Sequence, residues 1–380
     1  METSRRLIRL LALACPLTIS ACSGSRRAAP LPASAAAGVT SAGQQPAPTA
    51  GASPAPPASA SPAPTASASP ATAPAFPWVP AGQQLPAELV ELPPGYLQGG
   101  GDPVHVPSRF ESDTFTDRSP GAVPPRLRLV AWNVFAGHDA LAIQDALARD
   151  PTLAAADFVL LCEVPRHDPR TVPAGIDQAR ELARLLRMNY VAAPQWDFRL
   201  VPGAGGEHVN VILSKYPLGN VTLLRLPPAY DWYGQQGRLG GYLALGADAL
   251  VGGERVRLYA CHLEVRDGGP GRARQGAAIR ADAALPDRPA RCVVAGDFNT
   301  WLAGPLGFAA GLEPVLAGFF GAGWEDGLRG FSGPTHFGVN VYPQRLDWIF
   351  HRGLGGAVPG TAIAARGSDH LPITFGFSIP

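Results

Sequence analysis

Lysine is almost absent from this chain: its 380 residues include one Lys, Lys215, against 30 Arg. Charged residues make up only 16% of the chain and the net charge is +1, so the overall charge gives no reason to expect nucleic acid or an anionic surface as partner. A mean hydropathy of +0.05 and a single long apolar stretch, at the N-terminus, exclude a polytopic membrane protein. The 41 Pro and 44 Gly exceed the usual share and predict that part of the chain is linker.

Residues 1–22 have the pattern of an export signal. Arg5 and Arg6 precede a mainly apolar stretch, residues 7–21, that is too short to span a bilayer comfortably. The stretch ends in Ile19-Ser20-Ala21-Cys22, which resembles the bacterial lipobox, whose Cys becomes the lipid-modified N-terminus after cleavage. We therefore expect an exported cell-envelope lipoprotein acylated on Cys22. A membrane-anchoring helix and a cleaved soluble signal are the alternatives, and Sec and twin-arginine export both stay open.

Residues 23–75 are predicted to be a disordered tether. From Ala28 to Ala75, 44 of the 48 residues are Ala, Pro, Ser, Thr or Gly, and none is charged. Such a run buries too little apolar surface to offset the entropy cost of folding. Residues 76–125 add aromatic side chains but keep many prolines, so we expect an irregular, partly docked extension there.

Residues 126–380 are long enough for one sizeable domain. Short apolar, β-branched runs alternate with helical patterns, as is typical of strands that are covered on both faces. The predicted strands are Leu127–Val134, Phe158–Val164, Val209–Ser214, Tyr242–Leu245, Val256–Leu263, Cys292–Asp297, Leu346–Phe350 and Ile373–Phe377, and the predicted helices are Asp139–Arg149, Asp177–Arg187 and Gln275–Leu285.

Three cysteines of this domain, Cys162, Cys261 and Cys292, fall inside predicted strands. Their spacing suggests no zinc site. We expect buried free thiols, with one disulfide among them as the alternative in an oxidising compartment.

Polar side chains recur where the predicted strands end. One such residue is usually a cap or turn residue. Repetition of the pattern is hard to obtain from turns alone, and strand ends in α/β folds surround the crevice where ligands bind. The residues are Asn133, Glu163, His262, Asp297, Asn299, Asp347, Asp369 and His370.

These residues lie in short motifs that follow one another over residues 126–380. In this order, the set resembles the endonuclease/exonuclease/phosphatase superfamily. The resemblance implies an α+β, or α/β, DNase I-like fold: a four-layer αββα sandwich with helices outside two facing mixed β-sheets. It also implies divalent-metal-dependent cleavage of a phosphate ester at one sheet edge. The motifs are Trp132-Asn133, Leu161-Cys162-Glu163, Asn210–Pro217, His262-Leu263, Gly296–Asn299, Leu346–Phe350 and Ser368–His370.

The resemblance implies a metal site at Glu163. Asn133 would lie beside this primary ligand, and Asp369 would be a second or water-mediated ligand. Hard oxygen ligands suit Mg²⁺, for which Mn²⁺ can substitute. Cys162 stands where the family usually has Gln, and we expect its side chain to point away from that of Glu163.

The resemblance also assigns the catalytic roles. Asp297 would activate or position the attacking water, and Asn299 would orient the water or the phosphate. His370 would contact the scissile phosphate, with Asp347 fixing its tautomer. His262 would stabilise the transition state or protonate the leaving oxygen.

Branches of the superfamily differ at the position of His262. Abasic-site repair enzymes carry Tyr there, so His262 argues against base-excision repair. Glu207 is a candidate partner that orients His262; alternatively, Glu207 is an exposed loop residue without this role.

For Arg272 and Gln275, substrate contact and structural capping are equally supported. Trp301 is a candidate for a groove wall, and the candidates to stack on bases or enter lipid are Trp196, Trp232, Tyr233 and Phe337. Burial is the commoner fate of such residues, and His336 is expected to be structural.

The substrate class stays open at the level of sequence. A nuclease-like phosphodiesterase leads narrowly. A phospholipid or sphingomyelin phosphodiesterase and a sugar or inositol phosphate phosphatase are the alternatives. An inactive binding protein is remote, because Glu163, Asp297 and His370 are all present. We expect a monomer whose partners are a phosphate-ester substrate, with nucleic acid as one candidate, and a membrane reached only through the N-terminal lipid.

Overall fold

The computed structural model describes residues 88–91, 105–116, 123–135, 139–198, 200–228, 230, 232–266, 268–300, 314–337 and 344–380. The predicted export signal with Cys22, the tether at 23–75 and Trp301 lie outside these residues. In the described part of the chain, no helix has the length and apolar character needed to cross a membrane.

The described residues form sixteen strands and five helices. The strands are β1 (Glu88–Glu91), β2 (His105–Ser108), β3 (Glu111–Asp113), β4 (Leu127–Asn133), β5 (Phe158–Arg166), β6 (Asn189–Asp197), β7 (Glu207–Ser214), β8 (Leu218–Arg225), β9 (Leu239–Gly240), β10 (Leu243–Val251), β11 (Glu254–His262), β12 (Cys292–Asp297), β13 (Glu325–Asp326), β14 (Asp347–Arg352), β15 (Gly355–Val358) and β16 (Ile373–Ser378). The helices are α1 (Ala140–Arg149), α2 (Gln178–Leu186), α3 (Trp232–Gln236), α4 (Gly269–Ala283) and α5 (Pro314–Gly321).

Most of the strands belong to two mixed sheets. The first sheet has the order β15-β16-β4-β5-β7-β6-β3, with β9 paired to β6, and the second has the order β13-β14-β12-β11-β10-β8. Each sheet contains one parallel pair, β4–β5 in the first and β11–β12 in the second. The other pairs within these sheets are antiparallel. A separate antiparallel pair joins β1 to β2.

Strand β12 shows how the layers pack. Val293 and Ala295 contribute to the core between the two sheets, whereas Cys292 and Val294 face the outer core with α4 and α5. This alternation follows from the two-residue repeat of a strand. Helices α1 and α2 cover the outer face of the first sheet. The predicted four-layer αββα sandwich is therefore confirmed.

Helix α2 buries one face and is capped at both ends. Ala179, Leu182 and Ala183 are buried at helical spacing. The side chain of Asp177 accepts a hydrogen bond from the backbone N–H of Arg180 at 3.1 Å and caps the N-terminus. The helix ends at Arg187 in the left-handed conformation.

All eight predicted strands and all three predicted helices appear, with shifted ends in most cases. Strands β6 and β8 were not predicted. In β6 the structure accommodates Pro194 at a register shift between Pro194 and Trp196. Within the extension predicted at 76–125, the described residues include the short strands β1, β2 and β3, and β3 adds to the edge of the first sheet by pairing with β6.

The three described cysteines, Cys162, Cys261 and Cys292, are free and buried, as predicted. Burial raises the pKa of each thiol, that of Cys292 to about 12. These residues therefore behave as small apolar core residues.

Gly296 allows β11 and β12 to approach closely beside the predicted site. Its φ of 141° lies in a region that favours glycine. An added Cβ would lie 2.0 Å from the carbonyl oxygen of Cys261 on the neighbouring strand. The same register places His262 directly opposite Asp297. The packing of Gly296 thus sets the spacing between two predicted catalytic residues.

We expect Gly296→Ala to lower the free energy of unfolding by about 2–4 kcal/mol, because backbone strain and a backbone clash act together. Urea denaturation followed by circular dichroism measures this change. Gly321→Ala is the matched control, since an added Cβ there meets nothing within 4 Å. Equal stability of the two variants would contradict the role given to Gly296.

Candidate active site

The predicted site residues converge where the two sheets meet. His262 at the end of β11 pairs with Asp297 at the end of β12, and Asp297 pairs with Asp347 at the start of β14. On the first sheet, Asn133 ends β4 opposite Cys162, the residue before Glu163. Adjacent strands thus present their polar ends at one edge of the sandwich.

The amide of Asn133 connects the two sheets. Its Nδ2 donates to Asp297 Oδ2 at 3.0 Å and to Glu163 Oε1 at 3.3 Å. Its Oδ1 accepts from the backbone N–H of Phe135 at 2.9 Å. Asn133 therefore presents its N–H group to both carboxylates and holds them together. Its role as a metal ligand stays a prediction.

Glu163 sits at a β-bulge. The register between β5 and β7 shifts between Leu161 and Val164, and Glu163 has a φ of 57°. Bulges re-aim side chains, and a left-handed non-glycine residue costs roughly 1–3 kcal/mol. Burial raises the pKa of Glu163, but the charges of His262 and other histidines outweigh it, so the pKa is lowered. The carboxylate is thus held in its ionised form.

Two imidazoles direct Nε2 at the same carboxylate. Nε2 of His262 lies 3.7 Å from Asp297 Oδ2, and Nε2 of His370 lies 3.8 Å from the same atom. The Nδ1 atom of each ring is engaged on the opposite side. Gln195 lies 3.1 Å from Nδ1 of His262, and Asp347 Oδ2 lies 2.8 Å from Nδ1 of His370.

The charges of this cluster favour a protonated His370. Burial lowers the pKa of His370, but Asp347 and Asp297 outweigh it and raise the pKa to about 10. Burial also raises the pKa of Asp297, and Asp347 adds to this while His370 opposes it. His370 therefore carries a positive charge at neutral pH, and Asp297 binds a proton more readily than an exposed carboxylate does.

Asn299 stabilises the turn after β12. Its backbone N–H donates to Asp297 Oδ1 at 2.7 Å, and its side-chain Nδ2 donates to the carbonyl of Leu263 at 2.8 Å. The residue has a φ of 48°. These contacts fix the Asp297 carboxylate and the loop after His262.

Asp369 lies in a second cluster, with His336. Nε2 of His336 is 3.3 Å from Asp369 Oδ2, and the rings of His336 and His370 lie 4.6 Å apart. The potential ligand atoms of these three residues lie within 4.8 Å of one another. His336, expected to be structural, is therefore part of the site. A single His without a recognisable motif gave no signal for this role.

Glu207 does not orient His262, contrary to the hypothesis from sequence. Its Oε2 accepts from Nε of Arg166 at 2.9 Å, and Arg109 binds its other oxygen. The cause is register, since Glu207 pairs with Arg166 across β5 and β7. Gln195 on β6 takes the place beside His262. It was missed because β6 was not predicted.

Of the two roles considered for Arg272 and Gln275, substrate contact and structural capping, their hydrogen bonds support the structural one. Gln275 Oε1 accepts from the backbone N–H of Glu264 at 2.8 Å, and Arg272 donates to the Glu264 carbonyl at 3.2 Å. Trp196 and Trp232 are buried, as expected for most such aromatics.

Tyr233 and Phe337 stay exposed, with 38% and 53% of their surface accessible.

The thiol of Cys162 is buried, and burial is the main cause of its raised pKa. The charges of Asp297 and Glu163 are the next largest causes. The thiol thus lies within reach of the acidic cluster.

Comparison with known proteins agrees with this geometry. The profile described as "Endonuclease/Exonuclease/phosphatase family" matches residues 130–370. The fold is the DNase I-like sandwich. The chain therefore belongs to the endonuclease/exonuclease/phosphatase family. No curated protein matches it.

Similar solved structures include a family member from Beutenbergia cavernae, 22% identical, with a TM-score of 0.52 over 67% of this chain and 72% of that chain. The human Nocturnin catalytic domain with bound sulfate is 17% identical, with a TM-score of 0.49 over 68% and 97% of the two chains. Sphingomyelinase C from Streptomyces griseocarneus is 16% identical, with a TM-score of 0.46 over 67% and 99%.

The family generally hydrolyses phosphate esters and typically depends on a divalent metal. The donor atoms of this site fit such an ion. Glu163 is ionised and partly accessible, and Oδ1 of Asp369, in the cluster with His336 and His370, is buried without a hydrogen-bond partner among the described residues. Carboxylate oxygen is a ligand that suits Mg²⁺ or Mn²⁺.

We expect Gln195→Ala to lower kcat roughly ten- to hundredfold on a phosphodiester with little change in KM, because a loosened His262 ring loses its productive orientation. Gln195→Asn keeps the amide group on a shorter side chain, and should have a higher kcat than Gln195→Ala. Glu207→Gln is the comparison, and should reduce thermal stability but leave kcat within about twofold. The reverse pattern would restore Glu207 as the partner of His262.

Proposed function

We propose that this protein is a divalent-metal-dependent phosphodiesterase of the nuclease type, exported and anchored by lipid. The supporting observation is the convergence of the two Nε2 atoms, of His262 and His370, on Asp297. With Nδ1 of each ring engaged by Gln195 or Asp347, each imidazole keeps only Nε2 for the substrate. Paired histidines beside a carboxylate suit in-line attack of water on phosphorus.

The residues divide the proton transfers among them. Asp297, whose pKa is raised, accepts a proton from the attacking water. His370, kept protonated by Asp347, donates hydrogen bonds to the phosphoryl oxygens and stabilises the charge that develops on them. His262 donates a proton to the leaving oxygen from its Nε2.

A bound Mg²⁺ or Mn²⁺ ion would neutralise charge on the phosphoryl oxygens. Glu163 is the principal residue to hold it, with Asp369 as the second candidate. Asn133 keeps the carboxylate of Glu163 next to that of Asp297 through its amide hydrogen bonds. Removal of this amide would leave the carboxylates of Glu163 and Asp297 to repel each other.

A diester fits the centre better than a monoester. Around Asp297 the charges come from carboxylates and histidines, and within the described ranges no Arg or Lys contacts Asp297, Asp347 or Asp369. A monoester carries a second negative charge that calls for additional fixed cations. The neutral to acidic centre therefore favours the singly charged phosphodiester.

Two exposed phenylalanines favour a phospholipid diester as the second candidate function. Phe135 is 48% exposed, and its N–H binds Asn133. Phe337 is 53% exposed, and its N–H donates to the Asp369 carbonyl at 2.9 Å. Both residues therefore lie beside the site, where an exposed aromatic ring suits contact with acyl chains.

Glu163→Gln tests the proposal directly. Loss of the charged oxygen ligand should raise the Mg²⁺ concentration for half-maximal activity roughly tenfold or more, and chelator should abolish the activity of the unmodified protein. Hydrolysis of single-stranded DNA and of sphingomyelin–phosphatidylcholine vesicles is measured over a Mg²⁺ titration. Glu181→Gln, on the exposed face of α2, is the matched control.

Each result has a distinct meaning. Cleavage of DNA alone supports a nuclease, and cleavage of the vesicle lipids alone supports a phospholipid phosphodiesterase. Full activity in chelator, or an unchanged Mg²⁺ requirement of Glu163→Gln, contradicts the proposed metal role.

The lipid anchor is proposed from the sequence Ile19-Ser20-Ala21-Cys22. A mature N-terminal Cys with several acyl chains binds a membrane firmly, whereas one chain binds it only marginally. The uncharged stretch from Ala28 to Ala75 would then hold the catalytic domain away from the lipid headgroups.

We expect Cys22→Ser to move the protein from the membrane fraction to the soluble fraction, as measured by fractionation and by mass spectrometry of the N-terminal peptide. Proteolytic cleavage between Ala28 and Ala75 is the parallel experiment, and should release an active, folded domain. Membrane retention of the Cys22→Ser protein, or an inactive released domain, would overturn this picture.

A further inference from the structure

Two arginines beside the site have no acidic partner among the described residues. The guanidinium groups of Arg238 and Arg266 form no hydrogen bond or ion pair with any described residue, and each contacts aromatic rings instead. Other arginines of the domain, such as Arg166 and Arg288, are bound to carboxylates. Unpaired cations next to an active site are available to a ligand.

The two guanidiniums flank one pair of aromatic rings. The central carbon of the Arg238 guanidinium lies 4.8 Å from the Trp232 ring centroid, and that of Arg266 lies 5.9 Å from the Tyr230 centroid. The rings of Tyr230 and Trp232 are 4.8 Å apart. Phe198 also lies beneath Arg238, at 5.4 Å. Aromatic faces hold a guanidinium flat and leave its N–H edge free to donate.

The partly buried cation of Arg238 is costly unless an anion binds it, whereas Arg266 is exposed. Burial lowers the pKa of Arg238, and the positive charges of Arg170 and Arg266 lower it further. Like charges held close together repel each other. The arrangement resembles a surface that binds an anion more than a structural ion-pair network, in which every charge would have a partner.

A buried carboxylate fixes the geometry of the pair. Glu264 Oε2 accepts from Nε1 of Trp232 at 2.9 Å, and its Oε1 accepts from the backbone N–H of Arg266 at 2.8 Å. Glu264 thereby ties the loop that follows β11 to helix α3. Gln275 secures the backbone of Glu264 in turn. The ring of Trp232 and the loop that carries Arg266 are therefore held in place before a ligand binds.

An aromatic layer connects this pair to the reacting centre. The Tyr242 ring lies 6.1 Å from the Trp232 ring and 5.0 Å from the His262 ring, measured between centroids. The charge of Glu163 raises the pKa of Arg238, which places the guanidinium within electrostatic reach of the proposed metal ligand. The pair therefore lies on the His262 side of the site.

We propose that Arg238 and Arg266 form an anion subsite that binds a second phosphate group of the substrate, beside the phosphate that is hydrolysed. This proposal rests on the proposed phosphodiesterase function. Guanidinium groups bind phosphate oxygens in bidentate fashion. The second phosphate has two possible sources: the next phosphate of a polynucleotide, or another phosphate on a small phosphorylated molecule.

Binding of inorganic pyrophosphate tests the subsite without catalysis. The full chain is titrated with pyrophosphate in chelator, and the fluorescence of the tryptophans next to Arg238 is followed. Arg238→Ala and Arg266→Ala should each weaken binding roughly tenfold or more, as expected for a lost charged hydrogen bond. Arg238→Lys should weaken it less. Arg329→Ala, an exposed arginine paired with Glu325, removes the same charge and should bind as the unmodified protein does.

A kinetic comparison separates the subsite from the proposed function. Thymidylyl-thymidine carries one phosphate, and the same dinucleotide with a 5′-phosphate carries two. The added phosphate should lower KM in the unmodified protein, and Arg238→Ala should remove this advantage without changing kcat. Competition by oligothymidylate or by inositol hexakisphosphate then shows which source of the second phosphate binds more tightly.

The outcomes are distinguishable. Arginine-dependent pyrophosphate binding without hydrolysis of either dinucleotide leaves the subsite standing and overturns the proposed function. Hydrolysis of both dinucleotides, with pyrophosphate binding and KM unchanged in Arg238→Ala and Arg266→Ala, overturns the subsite and leaves the function standing. Thermal unfolding at the temperature of the unmodified protein shows that each variant is folded.

Discussion

The buried carboxylate of Asp297 is the constraint on which the site depends. A carboxylate that is 2% exposed is stable only when donors surround it. Asn133 donates from one sheet, Asn299 donates from the turn after β12, and Nε2 of His262 and of His370 faces the same carboxylate. These groups belong to both sheets. The Asp297 carboxylate therefore has its hydrogen-bond donors only when the two sheets meet at this edge. The same requirement assembles the catalytic residues.

The sequence predicts the parts of this arrangement that arise locally. Continuous apolar runs ending in polar residues located the strands and His262, Asp297 and Asn133 at their ends, because strand ends gather at one edge whatever the details of packing. The partners of these residues depend on register and bulges between distant strands. Gln195 replaced Glu207 beside His262 for this reason, and the bulge at Glu163 has no local signature.

Charge is distributed unevenly around the site. The centre combines carboxylates with imidazoles, whereas the guanidiniums of Arg238 and Arg266, which have no acidic partner in the described part of the chain, pack against aromatic rings. This separation fits the chemistry, since a guanidinium in direct contact with Glu163 would compete with a divalent ion for its carboxylate. A chain with a net charge of +1 can therefore still present a local field that attracts anions.

The parallel pairs β4–β5 and β11–β12 have a further meaning. Each is linked through an outer helix, α1 or α4, so each sheet contains one β–α–β unit. The unit of the first sheet carries Asn133 and Glu163, and that of the second carries His262 and Asp297. The active site is thus an interface between two half-sites within one chain, comparable to a site shared by two subunits. The distances between its catalytic side chains therefore depend on the spacing between the two sheets.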